Sequence, residues 1–264
     1  MEDTPTVPAP AEAAIKPLSF TEKITDIFSS PGELFDNVRD TPPTASNWLV
    51  PLLIFVVVAF AMSQVMMHNP SLLDQLKDQI HQNMEKKFQE SIQQGKLTPE
   101  QADQARQQAE AFSNPASPIF VAFQAGALIV LTPIALFVIS LLYWLLGKSI
   151  IKAQAPYMKV VEVVGLVFFI GILESIVTTI MVVGLDNLHA SPSLALAVLG
   201  SFSTDNKLHV ALSKINAFTI WNLVVVSIGL GHLFRRDVPK VMALVFALWI
   251  LWVVFTLLTG INFG

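Results

Sequence analysis

The stretch Val160–Leu185, VVEVVGLVFFIGILESIVTTIMVVGL, decides the fold. Its 26 residues are almost wholly apolar, and about 20 suffice to cross the hydrocarbon core of a bilayer. Near the middle stands one carboxylate, Glu174. A charge at that depth costs at least a few kcal/mol, so the residue faces a bundle interior or a wet cavity rather than lipid.

Four more long apolar runs flank this one. Trp48–Met67 reads as the first span, with Pro51 in its first turn and Trp48 suited to the interface. Ile119–Leu146 is the second; Thr132-Pro133 predicts a kink in it, and Tyr143 and Trp144 mark an interface near Lys148. Val160–Leu185 is the third. The fourth runs from about Val210 to Leu233 and the fifth from Pro239 to about Phe263. Between the third and fourth, Leu194–Leu199 is too short to span and reads as an interfacial piece.

The remaining segments are polar. Residues 1–17 are rich in Pro, Ala and acid and read as a disordered tail. Within 18–40 apolar residues recur at helical spacing, as Phe20, Ile24, Ile27 and Phe28 and then Leu34, Phe35 and Val38, with Pro31-Gly32 between. These are two short amphipathic helices, lying on the membrane surface or packed on the loops of the bundle. Residues 68–118 form a polar insert. Leu73, Leu76, Ile80, Met84 and Phe88 make one helical stripe in it. Gly95 ends that helix, and Thr98, Pro99 and Gln101 start another as a capping box. The insert reads as a helical hairpin outside the bilayer, and residues 119–264 hold the other four spans. The expected fold is therefore an all-α polytopic membrane bundle with five transmembrane helices, amphipathic surface helices and an extramembrane hairpin.

Composition agrees. The chain has 264 residues, 53% hydrophobic and 14% charged, against about 25% charged in an ordinary soluble domain. Its mean hydropathy is +0.59. The net charge of −4 argues against a nucleic-acid partner, which would want a basic face. With no cysteine there is no disulfide, thiolate metal site or cysteine nucleophile. No cleavable signal peptide is apparent, so the first span acts as its own targeting signal. Short loops 147–159 and 234–240 carry Lys148, Lys152, Lys159, Arg235, Arg236 and Lys240. They lie on the side of the N-terminus, which the density of positive charge places in the cytosol, with the C-terminus opposite.

Glu174 is the sharpest candidate for a site, with Thr178 one turn on and on the same face. Asn216, Thr219 and Asn222 stand three residues apart on one face of the fourth span and could meet Glu174 in the core. One reading is an intramembrane proton, cation or substrate site; the other is hydrogen bonding that glues helices together. Gln124 and Thr132 in the second span read in the same two ways. Glu162, three residues after Lys159, reads as an interface charge. The five histidines show no metal-ligand spacing, and HExxH, P-loop and GxSxG patterns are absent. No catalytic, cofactor or metal residue is expected, and the chain reads as no enzyme.

Three blocks together resemble one family: FSSPGELF at 28–35, APYMKVVEVVGL at 155–166 and AFTIWNLVVVSIGLGHLFRR at 217–236. They look like the Yip-one domain family, membrane proteins named for interaction with Ypt/Rab GTPases, in its bacterial branch. The resemblance spans roughly residues 20–260, and the insert after the first span departs from the compact family pattern. It implies five spans, a cytosolic N-terminus and, for a bacterial member, the inner membrane. Eukaryotic members are implicated in vesicle trafficking and bind prenylated Rab proteins; a bacterial cell offers no such partner. The expected function is a non-enzymatic scaffold or membrane-organising protein. Its expected partners are membrane lipid and another protein or a second copy of the chain. The alternative is a small transporter or channel using Glu174 with Asn216 and Asn222.

Overall fold

The computed structural model describes residues 16–260. Most of the acidic N-terminal tail and the last residues of the fifth span lie outside them. Ten α-helices follow one another in the described residues: α1 (Phe20–Ser29), α2 (Pro31–Asp40), α3 (Ser46–Met67), α4 (Pro70–Gln93), α5 (Pro99–Ser113), α6 (Pro118–Leu146), α7 (Tyr157–Leu185), α8 (Lys207–Lys214), α9 (Ala217–Phe234) and α10 (Val238–Thr259). A π-helical turn, Gly147–Ile151, follows α6, and a 3₁₀ helix, Leu194–Ser201, precedes α8. No strand occurs among the described residues, only a bridge between Ser193 and Asn216. Among the described residues five helices are long and apolar enough to cross a membrane: α3, α6 with its π turn, α7, α9 and α10. Their outward faces carry residues such as Val57, Phe123, Ile180, Leu251 and Leu258, as a lipid-facing surface requires.

The chain is built round α7, which touches α1, α2, α3, α6 and α9. Two features of its sequence allow this. Its first half is buried on nearly every side, including Val160, Val161, Val163, Leu166 and Ile170. Gly165 and Gly171 then open space for α3: a Cβ on Gly165 would run into the backbone of Trp48, and one on Gly171 would sit 3.2 Å from the Phe55 ring. Small residues let membrane helices approach closely, which is what drives their packing where lipid is as apolar as leucine.

Helices α1 and α2 pack on the bundle, but on its spans rather than its loops. Ser19 caps α1 in a capping box with Glu22. The inner faces of the pair bury Ile27, Leu34, Phe35 and Val38 completely or nearly so. Phe20 stacks edge-on against Phe169 of α7 and Phe28 against Trp221 of α9. The opposite face of α1, with Thr21, Glu22, Thr25 and Ser29, is exposed. α6 runs through Pro133 as one helix and is tied to α7 near the interface, where the Trp144 indole donates to Ala155 O at 2.9 Å and the Tyr157 hydroxyl to Phe137 O at 2.8 Å.

The insert folds as the expected hairpin. Asn69 caps α4 and Thr98 caps α5 in a capping box with Gln101. Arg106 of α5 pairs with Glu85 of α4 and lies over the Phe88 ring. Its base is not free-standing, however. Leu72 is buried with Val182 and Ala190, Ser71 donates to Asp186 at 2.7 Å, and Gln75 bonds the backbone of Asp186 and Leu188. The fourth span also differs from expectation. The apolar run from Val210 breaks into α8 and α9, because the backbone leaves helical geometry at Ile215 and Asn216.

Candidate functional site

α7 carries two acids at two depths. Glu162 and Glu174 are twelve residues apart, which on an α-helix is about 18 Å of rise and about 120° of rotation.

Glu174 lies at the start of α9. Asn216, its N-cap, accepts from Phe218 N through Oδ1 at 2.8 Å and donates through Nδ2 to Glu174 Oε1 at 2.9 Å. One side chain therefore both satisfies an orphan helix donor and pins the helix to α7. Two cavities meet at this point. The first, about 610 Å³, opens between α3, α6, α7 and α9 and is lined by Glu174, Thr178 and Asn222 among apolar residues such as Phe55, Met62 and Phe168. The second, about 690 Å³, lies beneath the base of α4 and is lined by Glu174, Thr178, Asn216 and Thr219, with His189, Trp249 and Trp252. Thr178, Asn216, Thr219 and Asn222 thus gather round Glu174, in two groups sharing Glu174 and Thr178. They do not share one helical face: Asn216 is a cap, and Asn222 looks into the other cavity from Thr219. Gln124 of α6 meets Gln64 of α3 instead, accepting from its amide at 3.2 Å.

The second level was legible only as a pair, Lys159 and Glu162. Glu162 is not an interface charge. It is 1% exposed and Lys159 is 3% exposed. Glu162 accepts from Thr44 N at 2.9 Å and from Asn47 Nδ2 at 2.7 Å. Lys159 Nζ reaches Glu162 at 3.3 Å and donates to Val38 O, near the C-terminus of α2, at 2.6 Å. Asn47 in turn accepts from Lys23 Nζ at 2.8 Å. Burial pushes the Lys23 ammonium below the usual lysine range, an effect the nearby Glu162 opposes. One buried cluster therefore joins α1, α2, the α2–α3 turn, α3 and α7. Such a cluster is costly to desolvate and is held only because each member is paired.

Between the two levels the interior is mainly apolar, with Ser227 as a buried hydroxyl that donates to Leu223 O. Val163, Leu166, Val167 and Ile170 of α7 and Val226 and Leu230 of α9 are all buried there. No group of three or more potential metal ligands occurs among the described residues.

A family model described as the Yip1 domain matches residues 25–260. The chain belongs to the Yip1 domain family. No curated protein and no solved structure matches it. The Yip1 match begins inside α1 and ends at the residue capping α10, so it takes in the end of α1, all of α2, the five spans and every member of the buried cluster except Lys23. The three blocks that carry the family resemblance also meet in space. A Cβ on Gly229 would fall 2.6 Å from Val163 and 2.9 Å from Phe35, and one on Gly32 would fall 3.2 Å from His232. The glycines of these blocks thus lie where α2, α7 and α9 cross closely, and Lys159 and Glu162 tie α7 to the end of α2 and the start of α3.

Proposed function

We propose that this Yip1-domain chain is a non-enzymatic scaffold that organises other membrane components, with its N-terminus in the cytosol. The observation that carries the reading is the mainly apolar layer between Glu162 and Glu174, where Val163, Leu166, Val167, Ile170, Val226 and Leu230 are buried and no charged side chain intervenes. A transporter needs a polar route, whereas a scaffold needs a rigid body with free faces. Only 11% of the apolar window of α6 and 17% of that of α10 are buried within the chain, so these helices offer surface to lipid, a second copy or another protein. Glu174 then acts as helix glue, bonded to Asn216.

Two measurements test this. Photo-crosslinking residues introduced at Phe123 or Leu251, both lipid-facing, give discrete protein adducts in native membranes, while one at buried Leu166 gives none. Glu174→Gln complements a deletion strain. A Gln variant that is stable, correctly inserted and unable to complement would overturn the scaffold and promote transport.

A further inference from the structure

A cavity of about 650 Å³ opens on the N-terminal side of the bundle, between the end of α2, the 152–156 loop and the end of α9. Five cations line it and no acid does: Arg39, Lys152, Lys159, Arg235 and Arg236. They are not equivalent. Arg39 is tied to Asp36, Asp40 and His232 O, and Lys159 belongs to the buried cluster. Arg235 approaches Asp40 at 3.8 Å. Lys152 and Arg236, both exposed, make no ion pair among the described residues.

Two of the cations sit on strained backbone. Lys152 has φ +58° and Arg235 has φ +52°. Each ends a helical segment in the left-handed conformation, where glycine is the cheapest residue. A long basic side chain therefore stands at two positions where the backbone favours glycine. Helix-dipole complementarity accounts for a cation near each terminus, but not for a cation at the capping position itself, nor for both lining one cavity.

The surroundings give the ligand its chemistry. Leu233 and Phe234 are buried and form an apolar wall. Trp144 and Tyr157 bond across the same loop at the level where aromatic side chains mark a headgroup region. Cations above an apolar wall at that depth fit a phosphate that carries acyl chains. We propose that this cavity binds the phosphate of an anionic phospholipid, with Lys152 and Arg236, which make no ion pair among the described residues, as its outer contacts and Arg39 and Arg235 held ready behind them.

The test is native mass spectrometry of the full chain in detergent, titrated with phosphatidylglycerol and with phosphatidylcholine of the same acyl chains. One phosphatidylglycerol should bind in preference to phosphatidylcholine. A cation beside an anionic lipid surface is worth about a fivefold gain in affinity, so Lys152→Gln with Arg236→Gln should weaken binding by about thirtyfold. Lys87→Gln with Lys96→Gln removes the same charge from the exposed hairpin and should change nothing. Lys152→Gly separates binding from folding: it relieves the strained backbone, so the protein should be as stable as before or more so, yet bind about fivefold more weakly. Equal affinity for the two lipids, or equal loss in the hairpin control, would overturn the site. Inorganic phosphate competing as well as the lipid would overturn the lipid as the source of the phosphate.

Discussion

Replacing Glu162 tests whether the N-terminal helices are held by the buried cluster. Glu162→Ala removes the acceptor for Lys159, for the Asn47 amide and for Thr44 N in one step. Breaking a buried pair from one side costs about 3–5 kcal/mol, because the remaining charge is left without compensation. Glu162→Gln is the sharper variant. Its carbonyl still accepts from Thr44 N, but its amide nitrogen then faces the Asn47 amide or Lys159. Asn47 cannot flip to accommodate it, since its oxygen is taken by Lys23. An unsatisfied buried donor of this kind costs about 2 kcal/mol. Adding Lys159→Met to Glu162→Gln should recover part of the sum, with a coupling of about 1 kcal/mol or more. The assay is SDS titration of the protein in mixed micelles, followed by helical circular dichroism. Limited proteolysis between Thr41 and Ala45 reports release of α1 and α2. Glu162→Ala within about 0.5 kcal/mol of the parent would be the behaviour of an exposed surface residue, and would refute the cluster as the anchor.

Other outcomes follow from the packing. Glu174→Gln keeps an acceptor for Asn216 and should be nearly neutral in the same titration, whereas Glu174→Leu should cost on the order of 1 kcal/mol, as membrane hydrogen bonds do. Gly165→Ala drives a methyl group into the Trp48 backbone and should cost about 1–3 kcal/mol by overpacking; an unchanged midpoint would mean that α3 and α7 are less tightly opposed. Replacing residues 77–113 with a Gly/Ser linker should leave a monodisperse protein, while extending the cut back to residue 71 removes Leu72 and Gln75 and should destabilise the α7 end of the hairpin base. Equal behaviour of the two deletions would show that the base contacts contribute nothing. In the cysteine-free chain, a cysteine at Gln93 should react with an impermeant thiol reagent on intact cells or spheroplasts and one at Ser149 should not; the reverse labelling would invert the orientation.

The five spans and the hairpin were readable because a membrane imposes length and hydropathy locally, and capping residues such as Thr98 and Gln101 act within one turn. The polar residues round Glu174 were readable as a set because intramembrane polarity is rare. Their arrangement was not: the helical spacing of Asn216, Thr219 and Asn222 puts all three on one face, whereas Asn216 lies outside the helix as its cap. An Asn directly before an apolar run is an N-cap signal and marks the true start of α9. The Glu162 cluster was hidden for a different reason. Only Lys159 lies at helical spacing from it, while Thr44, Asn47 and Lys23 come from distant segments and carry no periodic signature.

That separation also sets an order on biosynthesis. The Asn47–Glu162 bond joins residues 115 positions apart. At about 5–20 residues per second, the ribosome makes that span of chain in about 6–23 s. Within that interval the first two spans are made and become available for insertion, while Lys23 and Asn47 await their acid. The N-terminal helix pair cannot lock until the third span arrives, so a nascent chain halted before Tyr157 presents an unfastened amphipathic segment to whatever inspects new membrane proteins on that face.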